Sequence, residues 1–136
     1  IIGIKDATGN IGRGCDLLSQ IPQNFSVYSG DDATSLALLL LGAHGVISVT
    51  ANVAPKLMHE MCAAAFSGDL VNARAINNKL LKLHTDLFIE ANPIPVKWAV
   101  SRMGLIGNGI RLPLTSLSDQ YHSLLIAAMK QAGVLN

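Results

Sequence analysis

Apolar and polar positions alternate in blocks along the chain, and the blocks predict three strand–helix units followed by a helical segment. Residues 1–4 form a short uncharged run rich in β-branched residues, the pattern of a strand covered on both faces. Ile11, Leu17 and Leu18 fall on a loose helical spacing across residues 10–20, and Ile21-Pro22 stops that segment. Residues 25–28 predict a second strand. Gly30-Asp31-Asp32 predicts a turn in which either aspartate can cap the following helix. That helix runs over residues 33–41 and closes at Gly42. Residues 45–49 predict a third strand, after which Asn52 and Pro55 open a helix that Gly68 ends.

Beyond residue 68 the pattern changes. Leu70, Ala73, Ile76, Leu80, Leu83 and Leu87 recur at steps of three and four, so residues 69–89 predict one long helix with an apolar stripe. Asn92-Pro93-Ile94-Pro95 breaks and restarts the chain, because proline is tolerated in a first helical turn, and a helix is expected to run on to Arg102. Gly104, Gly107 and Gly109 mark a loop. Ser116 stands three residues before Asp119, an approximate capping box for a last helix. That helix should turn Tyr121, Leu124, Leu125, Ala128 and Met129 inward and end at Gly133.

The expected architecture is therefore α/β: residues 1–68 as βα units and residues 69–136 as a helical part. Short connections between alternating strands and helices imply a parallel sheet with crossover helices. Right-handed crossovers repeated in one direction put every helix on the same side, which leaves the other face bare unless the sheet closes into a barrel. A complete eight-fold barrel takes about 250 residues. Three units are less than half of that, so the chain is expected to be a fragment or to have a partner chain that supplies the rest.

Composition narrows the functional classes. Half of the 136 residues are hydrophobic, aromatics are few and the formal net charge is +1. The core is then aliphatic, and no electrostatic argument exists for nucleic acid or an anionic membrane. The apolar runs at residues 36–41 and 124–129 are too short to span a bilayer, and no stretch reads as a signal peptide. Cys15 and Cys62 lie far apart in helical surroundings, which fits a reducing compartment better than a disulfide framework.

The candidate for chemistry is Lys5. Most lysines are solvated surface charges. This one follows a strand without a polar side chain and stands at the strand's C-terminal end, where barrel active sites assemble, with small residues after it. A lysine there can attack a carbonyl and form a Schiff base, which requires the neutral amine. Desolvation favours that form, and the apolar run before Lys5 is read as its source.

The segments Gly3 to Asn10 ("GIKDATGN"), Ser29 to Ala33 ("SGDDA"), Gly42 to Pro55 ("GAHGVISVTANVAP") and Asn92 to Trp98 ("NPIPVKW") together resemble the bacterial 4-hydroxy-tetrahydrodipicolinate synthase family, also called dihydrodipicolinate synthases. The resemblance runs in order along the whole chain. It implies a (β/α)8 TIM barrel with an added C-terminal helical domain, of which residues 1–68 would be strands six to eight and residues 69–136 the helical domain. It also implies a cytoplasmic lyase of lysine and diaminopimelate biosynthesis that condenses pyruvate with aspartate semialdehyde and works as a homo-oligomer, tetrameric in the family. Lys5 would form the imine with pyruvate. Gly30 and Ile47 would line the pyruvate pocket, Ile47 chiefly through its backbone. No cofactor, metal, nucleic acid or membrane is expected. Sialic acid lyase (N-acetylneuraminate lyase) and related aldolases share the barrel and the lysine, but "VISVTAN" and "NPIPVKW" favour the synthase.

Strands one to five of the family fold have no counterpart in these residues. They carry the proton-relaying tyrosines, a threonine beside them, an arginine for the aldehyde substrate and the lysine-feedback site. The isolated chain is accordingly expected to show little or no turnover, because loss of water from the carbinolamine needs general acid–base help worth about 10²–10⁴-fold. The competing expectation is an inert, self-associating structural fragment with a bare sheet face and two unpaired edges.

The remaining polar residues read more simply. Asp31 and Asp32 are expected as caps, and His44 in a loop or packing role. His59 and Cys62 could share a helix face, but two candidate ligands without a third make a poor zinc site. His84 and His122 have no partners in view. Gly42 and Gly45 fit neither a P-loop nor a dinucleotide fingerprint. Lys97 and Arg111 are expected as surface or interface charges.

Overall fold

The computed structural model describes residues 1–135. Three parallel strands, β1 (Gly3–Asp6), β2 (Ser26–Ser29) and β3 (Gly45–Val46), lie side by side in chain order. Gly3 pairs with Ser26 and Asp6 with Ser29, while Tyr28 pairs with Gly45. The helix α1 (Ile11–Gln20) connects β1 to β2, and α2 (Ser35–Leu40) connects β2 to β3. A 3₁₀ turn at Thr50–Asn52 leads into α3 (Pro55–Ser67), followed by α4 (Leu70–Asp86) and α5 (Ile94–Arg102). A second 3₁₀ turn, Asp119–Tyr121, opens α6 (His122–Ala132).

Local chemistry explains most of the boundaries. The Asn10 side chain accepts the Arg13 amide and starts α1, and the Asp69 side chain accepts the Asn72 amide and starts α4. Pro55 occupies the first turn of α3, where its missing amide costs nothing. Gly68 ends α3 in the left-handed conformation at φ 80°, and the Asp69 amide returns to the Ala64 carbonyl at 2.9 Å. A side chain at this position would strain the left-handed turn that lets α3 and α4 fold back on each other.

The expected elements are present with shifted limits. The first strand lies two residues later than the apolar run, and Ile1 and Ile2 are exposed. Its expected burial on both faces is not supplied by the described residues: Ile4 and Lys5 are exposed too. The third strand has two residues rather than five, because Val49 and Thr50 are drawn aside by a side chain described below. The helix expected over 69–89 stops at Asp86. The expected Ser116 cap is not used. Ser118 takes the position before the 3₁₀ turn and makes no side-chain cap there. Of the five residues expected inward near the last helix, Leu125, Ala128 and Met129 are buried, Tyr121 is partly buried and Leu124 is exposed.

The described residues cover one face of the sheet and leave the other open. Val27 and Ser29 of β2 are buried, whereas Ser26 and Tyr28, which point the other way, are partly open. Lys5 stands opposite Tyr28 in the register and so shares the open side. The main core lies among the helices: Met61 of α3, Leu80 and Leu83 of α4, Leu87, and Leu125 and Met129 of α6 are fully enclosed. A smaller cluster, Leu38, Leu39 and Ala43, ties α2 to Val46 and to Cys62 of α3. Gly14 of α1 packs so closely on Leu38 that a Cβ there would come within 2.5 Å of its Cδ1. No helix among the described residues is long and apolar enough to cross a membrane.

The stripe on α4 gives a direct test. Leu83→Ala should cost about 2–5 kcal/mol, since it removes a fully enclosed side chain. Leu81→Ala, on the exposed side of the same helix, should stay within about 0.5 kcal/mol. Urea unfolding of the two variants checks this; equal losses would mean that the stripe is misassigned.

Candidate functional site

The C-terminal ends of the three strands lie together, and Lys5, Gly30 and Ile47 stand there, one from each strand or the residue just after it. Backbone bonds hold the edge in register. The Gly30 amide donates to the Asp6 carbonyl at 2.8 Å, and the Ile47 amide donates to the Ser29 carbonyl at 2.8 Å. Ile47 is about half exposed (48%).

Lys5 and Gly30 are in contact. A Cβ on Gly30 would fall 2.4 Å from Lys5 Cε, 3.0 Å from Lys5 Cγ and 2.7 Å from Ala7 Cβ. The lysine side chain therefore lies across the glycine, and a side chain at position 30 would displace it. The φ angle at Gly30 imposes no such demand; the glycine is required by the close approach alone. Lys5 is exposed, and no carboxylate among the described residues pairs with it. The desolvation expected from the apolar strand is thus not supplied by these residues, because β1 is an edge strand with an open face.

The polar residues flanking this edge are structural, in three different ways. Asp6 is buried; its Oδ1 accepts the Thr8 amide at 2.9 Å, and its Oδ2 lies 3.3 Å from Arg13 Nε. The bonds from Thr8, with Arg13 beside them, hold the Asp6 carboxyl below the usual carboxylate range. Asp31 closes the turn before α2, accepting the Thr34 amide at 3.0 Å and the Thr34 hydroxyl at 2.6 Å, but it is not the expected helix cap: Thr34 holds the N-cap position of α2, without a side-chain cap. Asp32 does not cap. It is buried, and its Oδ2 accepts the amides of Val49 and Thr50, both at 2.9 Å.

The histidines divide similarly. His44 Nδ1 accepts the Val27 amide at 3.1 Å while the His44 amide donates to the Val27 carbonyl at 2.8 Å, which zips the chain onto β2 just before β3. His122 stacks on Trp98 with ring centroids 4.5 Å apart, and its Nε2 sits 3.1 Å from the Leu117 carbonyl. His59 is exposed, and no three His, Cys, Asp or Glu side chains among the described residues gather as a metal-ligand set. His84, for which the sequence offers no partner, is buried in α4 with Nδ1 2.9 Å from Thr50 Oγ1. Asp32 Oδ1 and His84 Nε2 have no hydrogen-bond partner among the described residues. Neither the Asp32 nor the His84 contact leaves a sequence signal, since the partners lie 17 to 34 residues apart and no spacing rule joins a turn aspartate or a helix-end histidine to residues 49 and 50.

The model of the dihydrodipicolinate synthetase family matches residues 1–132. The chain belongs to that family. Relatives in the family include the 4-hydroxy-tetrahydrodipicolinate synthases of Nitrosomonas europaea, 74% identical over 98% of this chain, and of Azoarcus sp., 62% identical over the same share. The chain spans 46% of the length of each. Among solved structures, the dihydrodipicolinate synthase of Acinetobacter baumannii, crystallised with pyruvate and described as chloride-inhibited, is 56% identical. It superposes with a TM-score of 0.95 over 99% of this chain and 46% of its own. The Thermotoga maritima enzyme superposes equally well at 44% identity, over 99% of this chain and 47% of its own. The three-stranded parallel sheet and its helices are thus a substructure of dihydrodipicolinate synthases.

His84 makes stability depend on pH. Burial pushes its imidazole below the ordinary range, while the Asp32 and Asp31 carboxylates oppose that shift. The unfolded chain then takes up the His84 proton at a higher pH than the folded chain does. The contribution of neutral His84 is fully present above about pH 6.5 and is lost as the pH falls below that toward the folded value. The thermal midpoint should therefore drop between about pH 7 and about pH 5, and drop less in His84→Leu. The Asp6 contribution falls in a more acidic window and does not overlap. Circular-dichroism melts at both pH values check this; parallel losses in the two proteins would refute it.

Proposed function

We propose that the chain is the C-terminal portion of a class I, Schiff-base synthase that condenses pyruvate with aspartate semialdehyde, with Lys5 as the nucleophile. Residues 1–68 then correspond to the last three units of a (β/α)8 barrel, and residues 69–136 to a C-terminal helical domain. The observation that carries the reading is the Lys5 side chain laid across Gly30 at the C-terminal edge of a parallel sheet. The pyruvate-bound state of the similar A. baumannii enzyme supports the ligand, and the name shared by the relatives supports the reaction.

The chemistry follows from the amine. Neutral Lys5 Nζ adds to the keto carbon of pyruvate, a proton moves to the oxygen, and loss of water leaves an imine. The protonated imine draws electrons from the neighbouring methyl group, which gives up a proton and becomes an enamine carbon. That carbon attacks the aldehyde of the second substrate and forms the new carbon–carbon bond. Gly30 contributes space, and the Ile47 backbone forms the wall opposite. The proton transfers need groups that Lys5, Gly30 and Ile47 do not provide, and the isolated chain is expected to turn over slowly or not at all.

Borohydride trapping with pyruvate tests the assignment. A reduced adduct is expected at Lys5 and not at Lys56, Lys79, Lys82, Lys97 or Lys130, and Gly30→Ala should abolish it by displacing the amine. Labelling confined to another lysine would remove Lys5 from the role, whereas labelling spread evenly would show that these residues place the amine without activating it. The exposed isoleucines 1, 2 and 4 and the open edges of β1 and β3 favour a second reading for the chain on its own, as an inert self-associating piece. Light scattering that reports a monomer at every concentration would count against it.

A further inference from the structure

We infer that Asp32 and His84 are positioning residues that set the backbone carrying Ile47, with His84 linking that backbone to the helical layer. The inference rests on the reading of Ile47 as a wall of the carbonyl-substrate pocket.

From Ile47 to Ala51 the chain has little freedom. The Ile47 amide is held by the Ser29 carbonyl, the Val49 and Thr50 amides by the single oxygen Asp32 Oδ2, and the Ala51 amide by Ser48 Oγ at 2.8 Å. Asp32 is 1% exposed, so these are charge-assisted bonds in a dry setting, the strong kind. They also end β3 early: amides that would continue the strand turn toward the carboxylate instead. Asp32 directly follows Asp31, which follows Gly30. One short turn therefore places the glycine under Lys5 and the carboxylate that fixes the Ile47 segment.

Thr50 is the hinge between layers. Its amide is bound to Asp32, and its hydroxyl meets His84 Nδ1 from the last turn of α4. Both Thr50 and His84 are enclosed, as are Leu80, Leu83 and Leu87 on either side of His84 in sequence. A shift of α4 would therefore reach the Ile47 backbone through one side-chain contact and one amide.

Amide hydrogen exchange by NMR on the whole chain tests this. In Asp32→Ala the Val49 and Thr50 amides should exchange at least about tenfold faster, while the Ser26 amide, bonded to the Ile2 carbonyl at the far end of β2, keeps its rate. Asp32→Asn retains an acceptor oxygen without the charge and should fall between; it also carries the test if Asp32→Ala does not fold. His84→Leu should loosen Thr50 selectively, and His84→Gln, which can still bond the hydroxyl, should restore it. Under pyruvate and borohydride, Asp32→Asn should need several-fold more pyruvate for half-maximal labelling of Lys5. Unchanged exchange at Val49 and Thr50, or faster exchange everywhere including Ser26, would overturn the role of Asp32. An indifferent Thr50 in His84→Leu would overturn that of His84. Failure to label Lys5 in the unaltered chain would sink the Schiff-base reading and leave the exchange result to be judged by itself.

Discussion

A parallel sheet cannot return on itself through a hairpin, so each strand here must be reached by a crossover, and the crossovers run on one side. The rest of the structure depends on that constraint. It puts α1 and α2 on one face, buries Val27 and Ser29 against them, and leaves Lys5 and Tyr28 on the other. It also aligns the three strands in one direction, so that their C-terminal ends, with Lys5, Gly30 and Ile47, meet at one edge. The site is a consequence of strand direction before it is a matter of side chains.

The energetic weight lies elsewhere. The enclosed side chains Met61, Leu80, Leu83, Leu87, Leu125 and Met129 belong to or adjoin α3, α4 and α6, and the sheet is anchored to them through the short turn around Thr50 and the cluster at Leu38 and Leu39. Stability is thus supplied by helices that carry none of the three candidate site residues. Asp32 and His84 join the two. An aspartate with one oxygen on two amides and a histidine on the adjoining hydroxyl make a rigid link whose cost is two buried polar groups.

Periodicity made the helices legible because burial and helix period coincide: the stripe on residues 70–87 is the core itself. The terminator Gly68 was legible, whereas the caps Asn10 and Asp69, which act on amides three residues on, carry a local signal that went unread. Strand limits were less legible. The run Ile1–Ile2 is as apolar as any buried strand, yet nothing in the described chain covers it. Residues 45–49 read as a strand because the competing interaction, Asp32 with Val49 and Thr50, comes from another part of the chain. Lys5 was singled out from its place at a strand end. That Gly30 must be glycine for Lys5 to pass is a three-dimensional fact with no local trace beyond the motif itself.

On the proposed reading, what these residues would provide toward Schiff-base chemistry is position rather than activation. Lys5 is located by the register of β1 on β2, given room by Gly30 and faced by a backbone that Asp32 holds. Such placement converts encounter into near-attack geometry, which is a large part of what an active site does. It does not by itself make the amine neutral. That step is favoured by low dielectric or an unpaired neighbouring cation, and among the described residues Lys5 is exposed while the Arg13 near its strand end is paired with Asp6. Position and activation are therefore separable in this fold: the strand ends and turns supply the first from within the chain, and whatever covers the open face of the sheet must supply the second.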